Sequence, residues 1–283
     1  MAGVRVVTDS ACDLPPDLVA AHGITVVPLT IRFGSEELVD GQDLTPAAFW
    51  ARVASSAVLP ETAAPSAGAF EAAYRAAAAD GAAGVVCITL SSSLSATCQA
   101  AQLAAQSVAD DLPVVVVDSL AVSMGQGMMV ANAARLAAEG RSLDEVVAAV
   151  NEMVPRTRIF AALDTLENLR KGGRIGAAQA LLGSILSIKP IIEVTGGKVE
   201  PESRQRTRAR SLRYLADKVR EHQPVANLAV VHGSAPDVDQ LLDLLDGVVS
   251  RADIVVSEVG AVIGTHAGPR VVGVTFTTAG AAG

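Results

Sequence analysis

Four short runs in the first half of the chain constrain its fold more than any other feature: residues 4–10 (VRVVTDS), 24–31 (ITVVPLTI), 84–91 (GVVCITLS) and 113–119 (PVVVVDS). Each is rich in β-branched residues and bounded by Gly, Pro, Asp or Ser, the pattern of a buried strand. Ala-rich stretches with helical patterning separate them, at about 45–55, 66–79, 94–109, 125–139 and 143–154. Apolar strands alternating with helices imply an α/β fold whose parallel sheet is covered on both faces. Half of the residues are hydrophobic but only 3% are aromatic, so Ala, Val, Leu and Ile must build the core. Ligands of such sheets sit beyond the carboxyl ends of the strands. Here the loops at those ends read T-D-S, S-S-S-L-S and D-S, which lines one edge of the sheet with hydroxyls.

The character changes near Arg156. An apolar helix is expected over AQALLGSIL, and Thr195-Gly196-Gly197-Lys198 reads as a hairpin turn between two β-like runs. A basic helix at about 207–221 follows, then the strand LAVVHGS, the helix DVDQLLDLLDGVV, and the strands DIVVSEVG and RVVGVTFTT. The expectation is two domains: 1–156, an N-terminal parallel sheet flanked by helices, and 157–283, a smaller C-terminal α/β domain with mixed strands. With no internal repeat and no low-complexity linker, the two should share a substantial interface.

Several function classes are excluded. The net charge is −8, but residues 170–220 hold twelve Lys/Arg against four acids, +8, which leaves −16 on the rest. An acidic protein with one basic segment is a poor nucleic-acid binder and a fair candidate for docking an acidic partner. There is no G-x-x-x-x-G-K-[ST], no G-x-S-x-G and no H-E-x-x-H, and Gly125-Gln-Gly127 lacks the third glycine of a dinucleotide fingerprint. His22, His222, His232 and His266 are too dispersed for a metal cluster visible in sequence, and Cys12, Cys87 and Cys98 read as small buried residues. No apolar stretch is long enough to span a membrane, and MAGVRVVTDS has no signal-peptide pattern, so a cytoplasmic location is expected.

What remains is a set of hydroxyl-rich segments: Thr8-Asp9-Ser10, Glu61-Thr62 through Ser66, Ser91 through Thr97, and Asp118-Ser119 with Ser123 just beyond. Each ends near a helix start, where free N–H groups and the helix dipole favour an anion. Serine and threonine in such places ordinarily cap the helix. Several converging on one edge with few cations suit a single carboxylate or neutral polar group better than a polyphosphate.

The order of these motifs resembles the DegV family of bacterial fatty-acid-binding proteins along essentially the whole chain. The resemblance rests on T-D-S (8–10), E-T-A-A-P-S (61–66), S-S-S-L-S-A-T (91–97), D-S-x-x-V-S-x-G-x-G (118–127), T-L-E-N-L-R-K-G-G-R-I (165–175), K-P-I-I (189–192) and G-T-H-A-G-P (264–269). It implies a long-chain fatty acid held between the two domains as ligand, with no other cofactor and no metal. It also implies a non-catalytic carrier that presents the carboxylate to a separate ATP-dependent fatty-acid kinase for acyl-phosphate formation. Carried over residue by residue, the head-group contacts are Thr62, Ser92 or Ser95, and His266, with the register among Ser91–Ser95 open. Arg170, Lys171, Arg174, Arg204 and Arg206 are the candidate kinase-docking cations. Ala63-Ala64 stands where the family has Ser-Gln, so Ala63 lacks one potential donor; Ala96 and Arg270 replace glycines. The rival class is a phosphotransferase or hydrolase using Ser95 or His266 on a small substrate.

Overall fold

The run Val4–Asp9 is the strand around which the first half is organised. In the computed structural model, which describes residues 3–56, 58–182 and 188–279, it forms β1. It pairs in parallel with β2 (Thr25–Val27) on one side and β6 (Gly84–Thr89) on the other, and β7 (Val114–Asp118) extends the sheet to the order β2-β1-β6-β7. Alternation along the strands divides their side chains between two cores. Val7, Val85 and Cys87 pack against Phe70 and Tyr74 of the helix Ala67–Ala79 and Ala101 and Ala104 of the helix Thr97–Ser107. Val6, Val86 and Ile88 face Met129, Val130 and Ala133 of the helix Met124–Ala138.

The run 24–31 is two strands, not one. Pro28 has no N–H to give to a ladder, so β2 ends at Val27. At the break the Leu29 N–H donates to Ser10 Oγ at 3.0 Å. The chain then enters a second, antiparallel sheet of order β4-β3-β5, formed by β3 (Thr30–Phe33), β4 (Glu36–Val39) and β5 (Glu61–Ala63). This small sheet carries Thr62.

The second half is shorter in sequence but holds the larger sheet. Its strands are β8 (Thr157–Ala162), β9 (Lys189–Thr195), β10 (Lys198–Gln205), β11 (Val225–His232), β12 (Val255–Glu258) and β13 (Val272–Thr278). They lie in the order β10-β9-β8-β13-β11-β12, antiparallel except for β11 with β12. The β9–β10 turn places Gly196 and Gly197 at φ 55° and 78°, the left-handed pair a two-residue hairpin demands. The basic helix Arg208–Glu221 is capped by Thr207, whose Oγ1 accepts from the Arg210 N–H, and it buries Leu212, Leu215, Ala216 and Val219 at helical spacing. The part of the apolar stretch 178–186 that is described is helical but not α-helical: Gly176–Leu181 is a 3₁₀ helix, and residues 183–187 lie outside the described residues.

The helix Met124–Ala138 packs between the parallel sheet and the inner face of the six-stranded sheet, and its core contains residues of both halves. Two further contacts lock the halves. The Trp50 indole lies against Gly233 and Gly264, where any Cβ would meet it at 2.6 and 2.8 Å, and its Nε1–H donates to the Val259 carbonyl at 2.9 Å. The buried Asp13 carboxylate accepts from Ser123 Oγ and, at 2.9 Å, from the Gly260 N–H.

Burial pushes the Asp13 carboxyl up to about 7, and Asp9 and Asp40 to about 6. Each folded-state value lies above the unfolded one, so the native state holds protons that the unfolded chain releases. The contribution of these three carboxyls to stability therefore falls as pH rises from about 4 and levels off above about 7, while His266, whose pKa is lowered, contributes in the opposite direction up to about pH 6.5. In Asp13→Asn the amide can accept from Gly260 and donate to Ser123. Chemical unfolding of this variant and of the unmodified protein at a series of pH values should give curves that differ in slope between about pH 4 and 7, the window in which Asp13 contributes, and that run parallel above it. An unchanged slope there would refute the assignment.

Candidate functional site

Along β5 and the residue that follows it, the alternation of extended chain puts Thr62 and Ala64 on one face and Ala63 on the other. Thr62 and Ala64 line an internal cavity of about 240 Å³ between the two halves. Opposite Thr62 stands His266, in the last turn of the helix Ala261–Ala267, with Nε2 3.0 Å from Thr62 Oγ1. The imidazole rests on the backbone of Gly172; a Cβ there would lie 2.3 Å from Nδ1. Burial, and then the positive charge of Arg174, lower the His266 pKa to about 4, so the ring is neutral at physiological pH. Its Nδ1 is buried and makes no hydrogen bond among the described residues.

Arg174 Nε donates to the Leu94 carbonyl at 3.1 Å and Nη1 to the Gly172 carbonyl at 2.6 Å, which holds the guanidinium at the cavity wall. Ser95 lines the same wall, its Oγ 2.8 Å from Thr97 Oγ1. Of the 25 lining residues only Thr62, Ser95, Ser123, Arg174 and His266 carry polar side chains. The rest are apolar and come from both halves, among them Leu29, Leu90, Ile159 and Ile192.

Thr62, Arg174 and His266 also line a second, outer recess of about 350 Å³, together with Asn168, Lys171 and one acid, Glu61, so that its two cations outnumber its single carboxylate. These three residues thus form a partition, with an apolar interior on one side and a polar, cationic recess on the other. Such a partition accepts an amphiphile with a single anionic end. A larger recess of about 770 Å³ near β12 carries Asp13, Asp40 and Glu258, the wrong sign for an anion. Among the described residues no group of three His, Cys, Asp or Glu side chains could hold a metal ion.

The structure brings Thr62, Ser95 and His266 together and leaves Ser92 apart. Ser92 is exposed, and its N–H donates to Asp118 Oδ1 at 3.1 Å. Most hydroxyls of the sheet edge serve the protein itself. Thr8 Oγ1 donates to the Ile88 carbonyl and Ser91 Oγ to the Gly197 carbonyl, while Ser66 Oγ caps a helix by accepting from the Ala69 N–H. The substitution of family serine by Ala63 removes nothing from the cavity, because Ala64 is the residue that faces it. Arg270 is exposed and lies 3.5 Å from Asp164, outside the cavity lining.

The five basic residues expected at a docking surface divide. Arg170 and Lys171 are exposed on the helix Glu167–Lys171, each paired with Glu167. Arg204 and Arg206 are exposed at the end of β10 and just after it, Arg204 donating to the Ala180 carbonyl. Arg174 instead lines the cavity. Its place in the cavity was not read from the sequence, although Gly172-Gly173 just before it signals a close backbone approach.

Fold and site define a class: an α/β protein of two main sheets with an amphiphilic cavity between them. Residues 3–279 match the family described as "Uncharacterised protein, DegV family". A DegV domain-containing protein of Streptomyces coelicolor is 39% identical over 279 residues, covering 97% of this chain and 98% of the relative. Among solved structures, a DegV family protein from Thermus thermophilus, reported for its fatty acid binding, superposes with a TM-score of 0.88 at 33% identity, covering 98% of this chain and 100% of that one. DegV of Bacillus subtilis, described as a fatty acid binding protein, gives 0.87 at 28% identity and 99% and 100% coverage. The chain belongs to the DegV family.

The site's electrostatics make a direct prediction. Ring resonances followed by NMR should show His266 neutral down to about pH 4, and Arg174→Gln should move its titration part of the way back toward 6.5. A midpoint near 6.5 in the unmodified protein would contradict the buried, cation-facing geometry.

Proposed function

We propose that this protein is a non-catalytic, cytoplasmic carrier of a long-chain fatty acid. It would hold the carboxylate at Thr62, Ser95, Arg174 and His266 and present it to a separate ATP-dependent kinase for acyl-phosphate formation. The observation that carries this reading is the partition: the residues at the polar end of an otherwise apolar cavity also face a cationic outer recess. Fatty acid binding reported for the Thermus thermophilus and Bacillus subtilis relatives supports it. The same proposal divides the chain into domains 1–156 and 157–283, with the lipid between them. No helix among the described residues is long and apolar enough to cross a membrane.

The energetics suit a lipid. A C16 chain buries about 14 methylenes at ~0.8 kcal/mol each, on the order of 11 kcal/mol before ordering costs. The tail therefore supplies the affinity and the polar end the orientation. A neutral His266 can donate to the carboxylate without a charge of its own, while Arg174 supplies the counter-charge. The recess admits a phosphoryl donor to the same carboxylate, and Arg170, Lys171, Arg204 and Arg206 are the cations proposed to meet the kinase. Geometry favours this carrier over a hydrolase. Ser95 is hydrogen-bonded to Thr97, while His266 is paired with Thr62, so the Ser95–His266 pair that the hydrolase reading needs is not assembled.

Long-chain fatty acid should co-purify and appear by mass spectrometry of an organic extract. By calorimetry on delipidated protein, Thr62→Val and His266→Gln should each weaken palmitate binding about fivefold, the value of one hydrogen bond near ~1 kcal/mol. Arg174→Gln should weaken it more than tenfold, and Ser92→Ala should leave it unchanged. Wild-type affinity in the first three variants would sink the head-group assignment. With ATP alone the chain should form no acyl phosphate. With the kinase added, Arg170→Glu combined with Lys171→Glu should slow acyl-phosphate formation at least tenfold while palmitate affinity holds; an unaffected rate would remove these cations from the docking surface.

A further inference from the structure

The inner face of the six-stranded sheet is not uniformly covered. Ile192 of β9, Ala161 of β8, Gly273 of β13 and Val231 of β11 are register partners in sequence, Ile192 with Ala161, Ala161 with Gly273 and Gly273 with Val231. They make one row across four adjacent strands, about 14 Å long at a strand spacing of ~4.8 Å. All four line the cavity. The two central members have the smallest side chains available, and the residues two before and two after Ala161 are Ile159 on β8 and Leu163 just beyond its end, both buried and both on the cavity wall. The row is therefore a furrow, floored by Ala161 and Gly273 and walled by larger side chains.

Its boundaries are built by packing. Ile159 is pinned beneath the helix Met124–Ala138, where a Cβ on Gly125 would meet its Cδ1 at 2.5 Å. Val231 leans across Gly273, with Cγ2 3.0 Å from where a Cβ at residue 273 would stand. Although Ala161 sits in β8, one of the two central strands of the sheet, and under the helix layer, it is only partly buried, and the space beside it belongs to the cavity.

We infer that this furrow seats the acyl tail across the strands, and that Ala161 and Val231 set the longest chain the cavity accepts. The inference rests on the fatty-acid reading and names the residues that measure the tail. Adding two methyl groups at Ala161 fills the floor; removing two at Val231 lengthens the furrow. One methylene in a fitted apolar pocket is worth about 10-fold or more in discrimination.

The test is competitive loading. Delipidated protein is offered an equimolar mixture of saturated C10, C12, C14, C16 and C18 fatty acids, and the bound fraction is extracted and quantified by mass spectrometry. Ala161→Val should lower the bound C18:C12 ratio at least tenfold relative to wild type, and Val231→Ala should raise it. Circular dichroism melting establishes that each variant is folded, and Val231→Ala, a truncation, keeps the test open if Ala161→Val does not fold. Wild-type ratios in the folded variants overturn the furrow and leave the carrier reading standing. A wild-type protein that loads none of the five acids overturns the carrier reading and the furrow with it.

Discussion

Everything in the cavity's geometry depends on how closely the helix Met124–Ala138 approaches the layers on either side. The helix is buried along its first turns, where Met124, Gly125, Gln126 and Gly127 are all inaccessible. A Cβ on Gly125 would lie 2.5 Å from Ile159 Cδ1, and one on Gly127 would lie 2.6 Å from the Cys12 carbonyl oxygen. Side chains at these two positions would push away the six-stranded sheet on one side of the turn and the 3₁₀ turn Ser10–Cys12 that follows β1 on the other. Between them, Gln126 Nε2 reaches into the ends of β1 and β6, donating to Thr8 Oγ1 at 2.9 Å and Asp9 Oδ2 at 3.1 Å. Asp9 in turn accepts the N–H groups of Ala11 and Leu90. One helical turn thus closes the apolar contact to one sheet and the polar contact to the other. Interior packing transmits changes of a single methylene, so the width of the space beside Ile159 is set here.

That polar knot explains why the strand ends, where ligands of parallel sheets usually bind, are closed to one. Thr8, Asp9 and the Gln126 Nε2 group are hydrogen-bonded to one another and to the backbone, at the price of a buried Asp9 carboxyl with a raised pKa and a buried Gln126 Oε1 with no partner among the described residues. The candidate site is displaced to where the small sheet β4-β3-β5, the loop 91–97 and the helix Ala261–Ala267 meet. There the polar side chains are few, and the ones present are suited to a single charge. An unpaired carboxylate buried beside an apolar cavity would be strongly disfavoured. In the proposed complex Arg174 would offset that penalty from a position fixed by two backbone carbonyls, and His266, held neutral, would add a donor without adding a second charge to desolvate.

The parallel sheet was legible because its strands are apolar throughout, and a strand such as β6 that is buried along its whole length needs no partner pattern to be recognised. The small sheet was not, because its strands are three or four residues long and one of them hides behind Pro28 in what reads as a single run. Hydroxyls posed a different problem. A serine that donates to a distant carbonyl, as Ser91 does to Gly197, and one that faces a cavity, as Ser95 does, have the same local sequence. Only tertiary packing separates them, which is why Ser92 and Ser95 stood as alternatives and why Ala63 looked more consequential than Ala64. Residue chemistry alone reached an anion site. The order of seven motifs pointed to the fatty acid, and the apolar lining supports it independently.

Charge counting along residues 170–220 likewise overstates what is available to a partner. Arg208 is committed to Asp237 at 2.7 Å, with both side chains largely shielded, and Lys218 to Glu202 at 2.7 Å. Removing a partner from such a pair strands a shielded charge, so these cations are not free to exchange. Arg170 and Lys171 differ. Both share Glu167 on an exposed surface, with side chains more than half accessible, where an ion pair is worth only about 0–1 kcal/mol. An incoming acidic surface can replace Glu167 at little cost, and it would do so beside Lys171, which already lines the outer recess. The weakness of these pairs, more than the number of cations, would suit this edge of the site to the reversible docking proposed for it.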